Sequence, residues 1–264
     1  MTAISTALDE LDEKLLSFQD ARFSFEPVEH RYFFGKRELT SATAWLERFK
    51  TPFNRKAVAA GCAARTGRPA AEFLAEWDRA ADIGTKTHTF IERYYDYQRG
   101  LLATVPDLLC GDGEVSLRCL KFLDLAGKRL TNYEPIAQEL RLFYTPPSWT
   151  QDEDSEDEGW CGTLDMLARH KPSGGLYVID WKTSKKVERE SSGGSYKLKG
   201  AFADLSKHEH NLYSLQVSFY RVLLETAGIV TAGGAIAWLP TADTAPELIP
   251  AIDYRSRVRA LLLQ

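Results

Sequence analysis

Several features that would assign a chain to a particular class are missing here. No apolar run approaches the ~20 residues a bilayer-spanning helix needs, so no membrane partner is expected. There is no Walker-type phosphate loop, no zinc quartet and no Gly-x-Ser-x-Gly elbow, and no ATPase activity is expected. The four cysteines, Cys62, Cys110, Cys119 and Cys161, include no Cys-x-x-Cys pair. Reduced thiols and a cytoplasmic location are the expectation. Met1 to Asp20 is acidic and has no basic flank ahead of an apolar stretch, unlike a signal or transit peptide. Positive charge is also scarce, with a net charge of −4, which sits poorly with a nucleic-acid partner. The deficit is local. Residues 151–158 hold six of the 37 acidic residues, leaving 33 basic against 31 acidic elsewhere. That run reads as a solvated loop between strands, or as a negatively charged gate beside a site.

What is present begins with a core: 44% of the 264 residues are hydrophobic and 11% aromatic. The most informative stretch is Leu176-Tyr177-Val178-Ile179 running into Asp180-Trp181-Lys182. Side chains alternate along a strand, so Asp180 and Lys182 share a face and Trp181 points away. Upstream stands Gly162-Thr163-Leu164-Asp165, within a second strand-like run, 161–168. The two runs are joined by His170-Lys171-Pro172-Ser173-Gly174-Gly175, a strong turn signal. Closing that hairpin brings two carboxylates and an ammonium together. Two carboxylates can hold a hard divalent cation. A lysine beside them can position water or stabilise charge on a phosphorane. A charged pair inside an apolar strand is costly unless it has a use.

Gly-Thr-Leu-Asp followed by Ile-Asp-Trp-Lys-Thr resembles the core of the PD-(D/E)xK nuclease superfamily, in particular its RecB-like exonuclease branch. Gly84-Thr85-Lys86-Thr87-His88 resembles that branch's upstream Gly-Thr-x-x-His signature. Gln216-Val217-Ser218-Phe219-Tyr220 resembles its downstream Gln-x-x-x-Tyr signature. The elements stand in the family's order between residues 84 and 220. The wording of Tyr213 to Glu225 is similar to phage-encoded members and to the mitochondrial genome-maintenance exonuclease. His30-x-Tyr32…Gly35 also resembles the opening of the phage type. The resemblance implies a restriction-endonuclease-like α/β fold, a mixed central sheet flanked by helices. It implies a metal-dependent DNA exonuclease acting from DNA ends in recombination, repair or processing. An endonuclease of the same fold and an inactive nucleic-acid-binding module are the alternatives. Some RecB-like relatives carry an iron–sulfur cluster that uses a tight C-terminal cysteine group. No cysteine follows Cys161, so no such cluster is expected.

The site this implies has Asp165, Asp180 and Glu139 as catalytic carboxylates and Lys182 as the catalytic cation. Mg²⁺ or Mn²⁺ is held by Asp165, Asp180, Glu139, His88 and the Trp181 carbonyl. His88 and Glu92 stand four apart on one helix and so share a face, which puts Glu92 behind the metal ligands. Gln216 and Tyr220 share a stripe with Tyr213, read as contacting the DNA strand or ordering the lysine. Tyr220 is a candidate for stacking on bases. Lys185 and Lys186, with Arg189, Lys197 and Lys199, flank the catalytic strand and are read as phosphate contacts. His30, His170, His208 and His210 receive no role. The expected partner is DNA that is single-stranded or has free ends.

Periodicity predicts a short N-terminal helix through Leu8, Leu11 and Leu15. A hairpin follows over 22–39, then a helix capped by Thr40 or Ser41. Another helix starts at Pro69 and is interrupted at Gly84, with a second from about Lys86 to Gln98. Further helices are predicted over 115–130, 211–226 and 255–263. Strands are predicted at 136–144, 161–168, 176–183, 233–239 and 247–252, and Ser191 to Ser195 reads as a flexible loop. No repeat or linker is evident. The chain is read as one domain, 1–264, with a hairpin and helical part (1–130) and a catalytic core (131–264).

Overall fold

The computed structural model describes residues 3–27, 29–108, 111–152, 155–189, 196–241 and 244–263, and the side chains of these from residue 10 onward. Leu8, Cys110, part of the acidic run and the predicted loop Ser191 to Ser195 lie outside these described residues or side chains.

The N-terminal region begins with helix α1 (Ala3–Leu16), then strands β1 (Phe23–Glu26), β2 (Arg31–Phe34) and β3 (Arg37–Ser41). The predicted hairpin is therefore a three-stranded meander, because Gly35 at φ +60° allows a second tight turn. Ser41 ends β3 and its hydroxyl accepts the Ala44 N–H, starting helix α2 (Ala42–Glu47). Helix α3 (Arg55–Thr66), absent from the sequence reading, is capped by the Asn54 side chain and closed by Gly67 at φ +73°.

Helix α4 spans Ala70–Gln98 without a break, which corrects the interruption expected at Gly84. A glycine inside a helix costs only about 1 kcal/mol. Burial of Ile83, Thr87, Phe90 and Ile91 along the same helix outweighs that. The glycine has a packing use: a Cβ at position 84 would stand 3.4 Å from Thr183 Oγ1. Helix α5 (Gly113–Lys128) follows and packs beside α4.

The remaining elements are β4 (Tyr133–Tyr144), β5 (Trp160–His170), β6 (Leu176–Lys182), helix α6 (Glu209–Thr226), β7 (Gly233–Trp238), β8 (Glu247–Pro250) and helix α7 (Arg255–Leu262). They complete an α/β architecture with a mixed, eight-stranded sheet in the order β1-β2-β3-β5-β6-β7-β8, with β4 also on β5. β4, β5 and β6 are successively antiparallel, whereas β6 and β7 run parallel across the α6 crossover. One face packs on α2, α6 and α7 around Trp45, Leu164, Val178 and Phe219. The other packs on α4 and α5 around Ile91, Phe122, Met166 and Trp181. β3 joins β5 in parallel at Thr40–Trp160 and Ser41–Cys161, so the sheet crosses position 130 without a seam. No helix among the described residues is long and apolar enough to cross a membrane.

Candidate active site

The site follows from how β5 is shared. One of its edges pairs with β4 along nearly its whole length, from Trp160 to His170. The other edge is divided: β3 takes Trp160 and Cys161, and β6 takes Met166 to Arg169. Gly162-Thr163-Leu164-Asp165 lies between these two pairings with that edge free. The sheet forks there, and a cavity of about 350 Å³ fills the fork. Gly162 is required by close approach, since a Cβ there would lie 2.6 Å from the Tyr220 ring.

Four separate elements deliver charge to the cavity, β4 among them with Glu139 and Arg141. Asp165 comes from β5, and its Oδ2 accepts the Trp181 N–H at 2.7 Å, which fixes the carboxylate and clasps the two strands beyond their last register pair. Asp180 and Lys182 come from β6 on one face, with Nζ 2.6 Å from Asp180 Oδ2. Trp181 turns the other way and packs edge-on to Phe122. Because a strand residue's N–H and C=O point to the same side, the Trp181 carbonyl is turned toward the forked edge as well. His88 comes from α4, with Nδ1 3.6 Å from Asp165 Oδ1 and 4.0 Å from Glu139 Oε1. Ligand atoms of His88, Glu139 and Asp165 all lie within 4.8 Å of one another.

Glu139 has an unusual backbone. It sits opposite Asp165 in β4 but at φ +45°, in the left-handed region. A non-glycine residue held there costs on the order of 1–3 kcal/mol, and such residues cluster at functional sites. From Ala137 to Tyr144 the pairing with β5 nevertheless keeps one register, with Glu139 and Arg141 both on the cavity. The register shifts between Pro135 and Ala137, and Ala137 packs into the core on the α6 side.

The electrostatics are those of carboxylates crowded without enough compensating charge. Burial, reinforced by Asp165, Glu92 and Asp180, pushes the Glu139 carboxyl up to about 8. Asp180, 1% exposed, is pushed up to about 6 by burial and by Asp165, against the pull of Lys182. Its Oδ2 faces the Lys182 ammonium at 2.6 Å, among the described residues the one cationic side chain paired with it. Burial works against the charge on Lys182, but Asp180 and Asp165 outweigh it and raise its pKa, so the ammonium stays charged. The Tyr213 ring lies 5.0 Å from that ammonium and restricts it from the α6 side. A divalent cation fits this donor set: oxygen-rich, with one imidazole and three crowded carboxylates that a single ammonium faces.

The other predicted residues divide. Gln216 and Tyr220 line the cavity, and Gln216 Nε2 donates to the Tyr220 hydroxyl at 2.8 Å. Tyr220 is 4% exposed, so base stacking on its ring is corrected: the ring is core, and its pKa is raised well above normal by burial. Glu92 makes no hydrogen bond to His88, and its charge acts on Glu139 instead. Lys185 and Lys186 do not line the cavity. Lys186 pairs with Glu188, Arg189 with Glu247, and Lys197 donates to the Asp204 carbonyl. In the acidic loop, Glu158 pairs with Arg48 at 2.5 Å, and no described residue of the run lines the cavity.

Sequence reasoning missed the wall opposite α6. Phe25, His30, Tyr32, Arg141 and Thr163 line the cavity. Tyr32 Oη lies 3.2 Å from Thr163 Oγ1, and the Arg141 guanidinium lies 5.1 Å from the Phe25 ring centroid. The only signal was His30-x-Tyr32, which carries no register until β1–β3 are placed against β5.

No protein-family profile matches the chain, and no curated protein matches it. A solved structure, that of SSO0001, is similar at 15% identity with a TM-score of 0.30, over 69% of this chain and 75% of its own. That likeness is too slight to argue from.

Proposed function

We propose that this chain is a metal-dependent deoxyribonuclease of the PD-(D/E)xK type, RecB-like branch, that hydrolyses phosphodiester bonds from DNA ends. The carrying observation is the convergence of Asp165, Asp180, Glu139 and His88 around Lys182 in one open cavity, from four different elements. The succession of three antiparallel strands, a crossover helix and a parallel strand supports the same core. Asp165, Asp180, Glu139 and His88, with the Trp181 carbonyl beside them, would hold Mg²⁺ or Mn²⁺. The bound ion supplies Lewis-acid polarisation of a phosphoryl oxygen and lowers the pKa of water.

The chain's own groups do the rest. Lys182 is held charged, and its ammonium orients the attacking water or stabilises charge building on the phosphate. Asp165 is locked by the Trp181 N–H, so its free oxygen keeps a fixed direction. Glu139 holds its proton at neutrality and must release it to the solvent when a cation enters, so metal affinity should rise with pH toward about 8. Arg141 offers a cation to a flanking phosphate, and Phe25 and His30 offer ring faces at the rim.

The test compares linear with covalently closed circular DNA, each with Mg²⁺ and with Mn²⁺. Loss of the linear form with survival of the circle is expected. Equal loss of both would identify an internal cutter. Tight binding with no cleavage under either ion would identify an inactive binding module. The proposed setting is the cytoplasm, with single-stranded or open-ended DNA as partner.

A further inference from the structure

A second cleft, of about 270 Å³, lies just past the end of β6 and beneath α4. Its walls include Arg79, Arg118, Thr183, Ser184 and Lys185. Arg118 projects from α5 and is 5% exposed. Its Nε and one terminal nitrogen are fully enclosed and find no acceptor among the described residues. A guanidinium carries five donors and cannot be neutralised at physiological pH, so this is an unmet demand for an oxyanion. The charges nearby do not meet it. Arg79 is engaged by Asp82 and Asp112, and Glu76 by Arg68. Glu114, one turn before Arg118, is exposed and makes no hydrogen bond to it. Lys185 is exposed beside the cleft, and the half-buried Thr183 brings a hydroxyl to the same walls, whereas the Ser184 hydroxyl donates to the Lys186 carbonyl.

We propose that this cleft is a binding site for a phosphate oxyanion, with Arg118 as its anchor and the Thr183 hydroxyl and Lys185 around it. Arg118 Nη2 lies outside the enclosed pair, and a charge-assisted hydrogen bond from it to a phosphate oxygen is a strong one. The position suits a phosphate of a nucleic-acid strand. Ala80, in the cleft, and His88, in the forked cavity, lie on the same helix, about 12 Å apart along its axis. The same chemistry would also take free inorganic phosphate. The inference does not rest on the nuclease reading, because the oxyanion demand exists without metal or cleavage.

The test is run metal-free in EDTA on wild type, Arg118→Met and Arg118→Lys. Thermal unfolding is followed in sodium phosphate against sodium chloride of equal ionic strength. Binding of a fluorescent single-stranded oligonucleotide is measured alongside. Phosphate should raise the wild-type melting temperature by about 5 °C at a hundredfold excess over its Kd. Arg118→Met should melt no lower than wild type without phosphate, since an unpaired buried charge is gone, and should lose the response. Arg118→Lys, which keeps the charge and should fold, should bind phosphate about tenfold more weakly. A roughly tenfold loss of oligonucleotide affinity in Arg118→Met assigns the site to a strand phosphate. Unchanged oligonucleotide affinity with a lost phosphate response assigns it to free phosphate. The proposal is overturned if wild type shows no phosphate-specific shift and both variants bind the oligonucleotide normally. It is equally overturned if Arg118→Met loses stability while keeping the phosphate response, which would mean that Arg118 serves the fold.

Discussion

The two ends of α6 hold buried charge in opposite ways. Toward its C-terminus, Arg221 is 2% exposed and fully used: it donates to the Thr231 hydroxyl at 2.8 Å and carbonyl at 3.1 Å, and faces Asp253 at 3.4 Å. Asp253 is in turn held at about 2 by its hydrogen bonds to Arg255. Toward the N-terminus, Tyr213 lies against Lys182, the single ammonium facing Asp180 and its neighbouring carboxylates, and Gln216 lines the cavity with Glu139, a carboxyl that desolvation leaves protonated near neutrality. The first arrangement is complete within the chain and ties α6 to the segment before α7. The second is incomplete and lies against a cavity. Buried charge alone does not mark a site; buried charge whose partners are missing does.

The largest effect expected from this contrast is in Asp180→Asn. It removes a ligand charge worth several kcal/mol of transition-state stabilisation, so cleavage should fall about 10³-fold. Metal-free melting should fall by only a few degrees, since Lys182 loses one of its two carboxylate partners and keeps Asp165. Turnover with Mn²⁺ and thermal unfolding on one preparation decide it, and a folded variant with near-normal turnover breaks the contrast. Next comes Arg221→Met at the satisfied end. Losing several charge-assisted hydrogen bonds should cost about 2–3 kcal/mol in denaturant unfolding, while calorimetric Mn²⁺ affinity per folded molecule stays unchanged. Weakened metal binding at full stability would exchange the two roles.

Glu139→Gln probes pH. The folded-state pKa of Glu139 is raised from 4.5 to about 8, so the folded state holds its proton more tightly than the unfolded chain does. Its favourable contribution is complete below about 4.5 and disappears as pH rises toward about 8. Metal-free wild type should therefore lose stability across that window, and the variant should lose less. At pH 8 the variant should melt higher by about 2 °C, a modest figure because the side chain is partly solvated. Parallel pH profiles for the two proteins would remove Glu139 from the strained set. The smallest effect belongs to Glu158→Gln. Its pair with Arg48 is well formed but exposed, and its loss should cost less than about 1 kcal/mol. A larger loss by chemical denaturation would show that pairing, rather than burial, sets the scale here.

The hairpin Asp165–Asp180–Lys182 was legible because strand alternation and turn chemistry are local properties. So was α6, whose apolar stripe and following Gly228 mark it plainly. What could not be read depends on contacts between distant segments. Gly84 carries a local helix-breaking signal that the packing of Ile83 and Ile91 overrides. Tyr220 looks like a surface aromatic until Gly162 is brought against its ring. Glu139 was found as a residue, but its left-handed backbone appears only once β4 is paired with β5, on the edge opposite the fork. Arg118 reads as an ordinary helical arginine, and its lack of partners appears only once α5 is seated.

That left-handed backbone at position 139 has a consequence for durability under selection. Glycine adopts φ +45° without the steric penalty that any L side chain meets there, and Glu139→Gly would also delete a carboxyl that resists ionisation. A library of this chain selected for heat resistance alone should therefore enrich glycine at 139 early, whereas selection that also demands the chain's activity should purge it. The same position would then be the easiest place to make the molecule tougher and the first place at which toughness extinguishes its activity.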